Sequence, residues 1–160
     1  MILDIKTYPD KILTKKTRPI REFDANLQKL IDDMAETLYA KHGAGLAANQ
    51  VGESKQIIVV DGGEGLKVLI NPKITRSRGQ MIYAEGCLSF PGIELFIKRP
   101  TKIAVAYQDQ KGEAKNLKTE NLLARIICHE IDHLDGKTML DKLPLLKRLA
   151  LKRQLKKNTK

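Results

Sequence analysis

The strongest constraint in this chain is a short run, Cys128-His-Glu-Ile-Asp-His133, set inside an otherwise apolar stretch. Leu122, Leu123, Ile126, Ile127, Ile131 and Leu134 have the spacing of a core helix, with Thr119 as its expected cap and Asp135-Gly136 as its end. Such a helix is costly to load with His, Glu and Asp unless those groups are paired or ligated. His129 and His133 stand four apart, so on a helix both imidazoles leave one face and can grip one ion. They are two of the chain's three histidines; the third, His42, falls at a helix end, where it suits the dipole, and is given no role. Glu130 lies about 100° around the axis from His129, beside an ion without being an obvious ligand. It is placed to hold a water and shuttle protons, as in His-Glu-x-x-His hydrolases. Leu122 and Ile126 share the histidine face, which suggests an apolar pocket there.

Two imidazoles leave a catalytic site in need of a third protein ligand. The chain after Leu134 contains no His or Glu, so that ligand must come from elsewhere. Cys87, in Glu85-Gly-Cys-Leu-Ser-Phe-Pro-Gly92, is the best candidate. The competing reading is a small buried hydrophobe. Cys128 is a poorer ligand, because on the helix it points about 100° away from His129.

The length of 160 residues, 42% apolar and 30% charged, suits one globular catalytic domain spanning 1–160. No apolar run reaches the roughly 18 residues of a membrane span, and Asp4 and Lys6 interrupt any leader-like start, so neither membrane insertion nor secretion is expected. Two cysteines without a leader point to a reducing compartment, and a cytoplasmic location is expected. Much of the net charge of +10 gathers in a C-terminal tail, 142–160. Lys142, Lys147, Arg148, Lys152, Arg153, Lys156, Lys157 and Lys160 lie there with no acidic residue after Lys142. Such a segment favours polyanions, and a solvated helix face explains it equally well.

Asp24 to His42 reads as a first helix, capped by Asp24 and closed by Gly43. A Gly-rich turn region, Gly43 to Gly52, follows. Short β-like runs come next at Gln56–Asp61, Leu66–Ile70, Met81–Ala84, Ile93–Lys98 and Lys102–Gln108. A last helix starts near Pro144, with Leu145, Leu149 and Leu155 on its apolar side. Helix, then strands, then helix, without strict alternation, predicts an α+β domain: short antiparallel or mixed strands around a central metal-binding helix, flanked by N- and C-terminal helices.

Three segments in order resemble the bacterial type of peptide deformylase, an iron- or zinc-dependent family. They are Gly43-Ala-Gly-Leu-Ala-Ala-Asn-Gln50, Glu85-Gly-Cys-Leu-Ser89 and Cys128-His-Glu-Ile-Asp-His133. Tyr8-Pro-Asp10 and Lys98-Arg-Pro100 also look like the family. The resemblance implies a hydrolase that removes the N-formyl group from the formylmethionine of new proteins and releases formate, an N-terminal processing step of protein biosynthesis. It implies one divalent ion, Fe(II) foremost with Zn, Ni or Co as alternatives, on Cys87, His129 and His133, and no nucleotide cofactor. Water on the ion would attack the formyl carbonyl, with Glu130 as general acid/base. Gln50 and the Leu88 backbone N–H would steady the oxyanion. Substrate peptide would lie against Gly43, Ala44, Gly45, Glu85 and Gly86, with the methionine side chain against Leu122 and Ile126. Partners would be N-formylmethionyl nascent chains, with ribosome contact through the basic tail. The family pattern has Gln where this chain has Cys128, and Asp132 would support a ligand. Two other readings stand beside this one: a different metallohydrolase such as a peptidase, and a basic binding module with a structural ion.

Overall fold

The fold is described from a computed structural model over residues 1–158; Lys160 of the basic tail lies outside the described residues. Asp24 accepts a hydrogen bond from the Leu27 N–H and opens helix α1 (Ala25–Ala40). His42, not Gly43, closes it. His42 takes a left-handed conformation (φ 53°) and its N–H donates to the Tyr39 carbonyl, while the Gly43 N–H reaches Leu38. Gly43 instead leaves room for its neighbours: a Cβ there would meet the Leu38 and Leu88 methyls at 2.9 and 3.1 Å.

Strands β1 (Gly45–Ala47), β2 (Ile57–Val60), β3 (Lys67–Arg78), β6 (Lys102–Gln108) and β7 (Ala114–Glu120) form an antiparallel sheet in the order β1-β2-β3-β6-β7. Strands β4 (Met81–Cys87) and β5 (Phe90–Arg99) form a separate antiparallel hairpin. Every residue of β2 is buried because helices cover both faces of the sheet. Ile57 and Val59 pack with Leu27, Ile31, Met34 and Leu38 of α1, whereas Ile58 and Val60 pack with helix α2 (Asn121–Leu134). This arrangement is why Ile57-Ile-Val-Val60 is a continuous apolar run instead of an alternating one.

The α+β architecture is as expected; beyond the closure of α1, three local expectations are corrected and one strand, β7, was not foreseen. β3 runs on past Ile70 through Asn71-Pro72, because Asn71 adopts φ 51° and a register shift between Ile70 and Lys73 absorbs the proline. β7 carries no run of apolar residues; it is an edge strand paired only to β6, with Leu117 as its packed apolar residue. Thr119 belongs to β7, opposite Ile103, and α2 starts after it with no side-chain cap. In helix α3 (Leu145–Asn158), Leu145 and Leu149 are exposed, while Leu151 and Leu155 pack on Phe90, Ile97, Met139 and Leu140. Arg148 ties the start of α3 to the preceding turn, its guanidinium donating to the Asp141 and Leu143 carbonyls.

Candidate metal centre

Helix α2 holds the two histidines at depth. Ile127 and Ala124, on its sheet side, are fully buried against β2, which sends His129 and His133 toward the hairpin. The end of β4 brings Cys87 to them from more than forty residues away. Cys87 Sγ is 3.2 Å from His133 Nε2, which is 3.2 Å from His129 Nε2. All three donor atoms lie within 4.8 Å of one another. Around one tetrahedral ion, donors of these types would stand roughly 3.4 to 3.6 Å apart. A thiolate with two imidazoles suits Fe(II), Zn, Co or Ni. The donor set therefore fits a divalent transition-metal ion.

The surroundings favour positive charge at that point. Burial opposes charge on His129, yet its neighbours Cys87, Glu85 and Glu130 raise its pKa to about 10. Burial holds the pKa of His133 well below its ordinary value, keeping a lone pair available. His129 Nδ1 is 3.0 Å from Glu85 Oε2, so the Glu85 contact leaves Nε2 for an ion. Glu85 is itself gripped by Arg99, whose Nε and Nη2 donate to its two oxygens at 2.8 and 3.0 Å. Burial works against the Glu85 anion, and His129 and Arg99 still hold its pKa down at about 2. Arg99 Nη1 also donates to Asp132 Oδ2, tying the hairpin to α2. Asp132 thus supports the site through Arg99, not through a histidine.

Glu130 is buried beside the donors, and burial pushes its pKa up to about 7. Its Oε2 has no hydrogen-bond partner among the described residues. Gly45 makes room for it: a Cβ there would stand 2.5 Å from Glu130 Oε1 and 2.8 Å from Ile126 Cγ2. Gln50 is buried, its Oε1 accepting from the Ala47 N–H and its Nε2 reaching Ser89 Oγ at 3.1 Å and Cys87 Sγ at 3.5 Å. The Leu88 N–H has no acceptor among the described residues.

A cavity of about 680 Å³ opens onto this cluster. Gly43, Ala44 and Gly45 line it on the β1 side, Gly86 and Leu88 on the hairpin side, and Leu122 and Ile126 on the helix side. Every residue expected from the sequence therefore reaches the cavity or the donor cluster. Glu85 lines the cavity, while its carboxylate is held by Arg99 and His129. Cys128 is buried in the core with Ile58 and Leu69, and burial pushes its thiol up to about 11. It therefore fills core space and joins no donor set.

The sequence reading missed Arg99, Ser89 and Asn49. A lone Arg within a strand that packs on core was the available signal for Arg99. Asn49 is buried and donates to the His133 carbonyl at 2.6 Å, and nothing in its neighbourhood along the chain announces that contact.

The family model described as polypeptide deformylase matches residues 2–149. The chain belongs to the polypeptide deformylase family. Among curated deformylases, that of Thermodesulfovibrio yellowstonii is 47% identical over 97% of this chain and 97% of its own length. That of Thermoanaerobacter pseudethanolicus is 45% identical over 86% of this chain and 87% of its own. The crystal structure of the Legionella pneumophila deformylase superposes with a TM-score of 0.91 at 40% identity, covering 99% of this chain and 96% of that one. The Ehrlichia chaffeensis deformylase in complex with actinonin gives a TM-score of 0.92 at 40% identity, covering 98% and 97%. The deformylase fold thus extends across the sheet, the hairpin and the three helices described above.

Proposed function

We propose that this enzyme removes the formyl group from N-terminal formylmethionine of newly made proteins, releasing formate. The convergence of Cys87, His129 and His133 on one point, with Glu130 buried beside it in a family member, carries this reading. Cys87, His129 and His133 would hold the ion, with Fe(II) as the physiological choice and Zn, Ni or Co able to replace it. A divalent ion bound there supplies Lewis-acid polarisation of the formyl oxygen and makes the attacking water more acidic.

The remaining work falls to the chain's own residues. Glu130 takes a proton from the attacking water as its oxygen adds to the formyl carbon. The Gln50 amide and the Leu88 N–H donate to the oxygen that gains negative charge, each contributing about 3 kcal/mol by analogy with other oxyanion holes. Glu130 then returns the proton to the departing amine as the C–N bond breaks, leaving formate and a free N-terminus. A carboxyl with a pKa near neutrality suits both transfers. The edge strand β1, with Gly43, Ala44 and Gly45, would pair with the substrate backbone, and Gly86 would keep the facing wall low. The methionine side chain would lie on Leu122 and Ile126.

The test is direct. Protein reconstituted anaerobically with Fe(II) should release formate from a formyl-Met peptide, and a Glu130→Ala protein should keep its ion and lose turnover. Cleavage of internal peptide bonds without formate release would instead establish a peptidase. Actinonin, which the Ehrlichia protein binds, is expected to inhibit. The chain is further proposed to act as a single cytoplasmic domain, 1–160. Its basic segment 142–160 would meet the ribosome, supported by the exposed Lys147, Arg153 and Lys157. Changing these three to Gln should weaken ribosome binding and flatten its salt dependence while sparing peptide turnover; unchanged binding would discard the contact.

A further inference from the structure

The far half of the sheet has one face that no helix covers. The strand residues that pack with α1 are Leu46, Ile57, Val59, Val68 and Ile70, and among the described residues none comes from β6 or β7. On the opposite face Ile74, Ile103, Val105 and Leu117 pack with α2. Alternation along β6 therefore turns Lys102, Ala104 and Ala106 away from α2. Residues directly opposite one another in an antiparallel pair share a side. Lys73, Arg76 and Arg78 of β3 stand opposite Ala106, Ala104 and Lys102, and Lys118 of β7 stands opposite Ala104. All five cations are exposed on this one face. The only acid these strands contain is Glu120, and it is spent on Lys102 at 2.8 Å. Among the described residues, Lys73, Arg76, Arg78 and Lys118 have no ion-pair partner.

We propose that this basic sheet face binds the phosphate backbone of helical RNA. The inference goes beyond the deformylase reading: the face lies across the sheet from α2, outside segment 142–160, and takes no part in the chemistry. Four unpaired cations with no free acid among them complement a polyanion. Arg76 and Arg78 emerge roughly 7 Å apart along β3, and Lys118 stands two strands from Arg76, roughly 10 Å away. A guanidinium fork matches phosphate oxygens in pairs. Between these charges the floor is Ala104 and Ala106, so no bulky side chain holds a backbone off. The face carries no aromatic ring; Tyr107 is turned to the α2 side. Unstacked bases therefore find no platform, which disfavours a single strand. Nor does it carry a large apolar side chain to enter a membrane. A flat face suits the wide, shallow minor groove of A-form RNA, whereas the narrower minor groove of DNA calls for an inserted element.

The experiment measures binding of the full chain to a fluorescent RNA duplex of mixed sequence across a salt series. A quadruple variant changes Lys73, Arg76, Arg78 and Lys118 to Gln. A control variant changes Lys11, Lys15, Lys41 and Lys111 to Gln and so removes the same charge from exposed positions elsewhere. The sheet variant should lose at least tenfold in RNA affinity, and its salt slope should fall by about three to four, near 0.9 for each phosphate contact removed. The control should bind within about twofold of the native chain. Circular dichroism melting of both variants confirms that they are folded, and a sheet variant that fails to fold is replaced by Arg76→Lys with Arg78→Lys, which keeps the charge and should lose part of the affinity with the forks. Equal losses in the two charge variants would reduce the effect to net charge and overturn the inference, as would undiminished binding by the sheet variant. A DNA duplex of the same sequence, or vesicles of equimolar phosphatidylserine and phosphatidylcholine, bound as tightly as the RNA would overturn the choice of partner. None of these outcomes bears on formate release, so this inference and the deformylase reading fail separately.

Discussion

A methyl group at position 45 would stand 2.5 Å from Glu130 Oε1, inside any real contact distance. Gly45→Ala should therefore displace the buried Glu130 carboxylate and, on the proposed mechanism, lower kcat by roughly a hundredfold, the scale of an ångström-sized misplacement. Metal content should stay unchanged, and formate release with metal analysis separates the two effects. The two cysteines should divide just as cleanly. Cys87→Ser is expected to lose the ion, while Cys128→Ala should retain it and cost about 1 kcal/mol as a small core cavity. Metal stoichiometry after gel filtration checks both, and loss of the ion from the Cys128 variant would contradict the core-filling role. Arg99 is buried and pairs with the buried Glu85 and the half-buried Asp132, so Arg99→Ala should destabilise by about 3–5 kcal/mol in denaturant unfolding, because it strips the buried Glu85 carboxylate of both its guanidinium hydrogen bonds. Of these residues, His129, His133, Glu130 and Cys87 were legible in the sequence because their chemistry is unusual where they stand. Arg99 and Asn49 were not, since their partners lie 14 to 84 residues away along the chain.

At the scale of elements, α2 is held from both sides, and the two sides do different things. Its sheet side, through Ile127, anchors the helix to β2; its other side carries His129 and His133. Ile127→Ala should cost about 2–5 kcal/mol of stability, the range for emptying a fully buried site. The hairpin is fixed to the same helix by the Glu85–Arg99–Asp132 ion pairs, so a weaker α2–β2 contact should loosen Cys87 as well as the fold. The helices and the β2 run were readable because they bury surface on a regular period. β7 escaped because an edge strand with one packed apolar residue has no such period. The roll of α3 escaped because leucines occur on both its exposed and its packed sides, so their spacing does not tell which side faces the body.

Over the whole molecule, the three donors belong to segments brought together only by folding. The ion should therefore bind the native chain far more tightly than the unfolded one. At a free ion concentration a hundred times Kd, binding adds about 2.7 kcal/mol to stability. Chelation should lower Tm measurably, and restoring Fe(II) or Zn should raise it again; an unchanged Tm would mean that the donors do not share a cation. The sequence by itself determined the α+β class, the family and the four side chains of the centre, because a metal-binding helix must mix His and Glu into an apolar pattern. Only the tertiary structure decided which groups hold those side chains still and which face of α3 is exposed. Those outcomes depend on contacts between distant segments, and no local pattern along the chain records a distance in space.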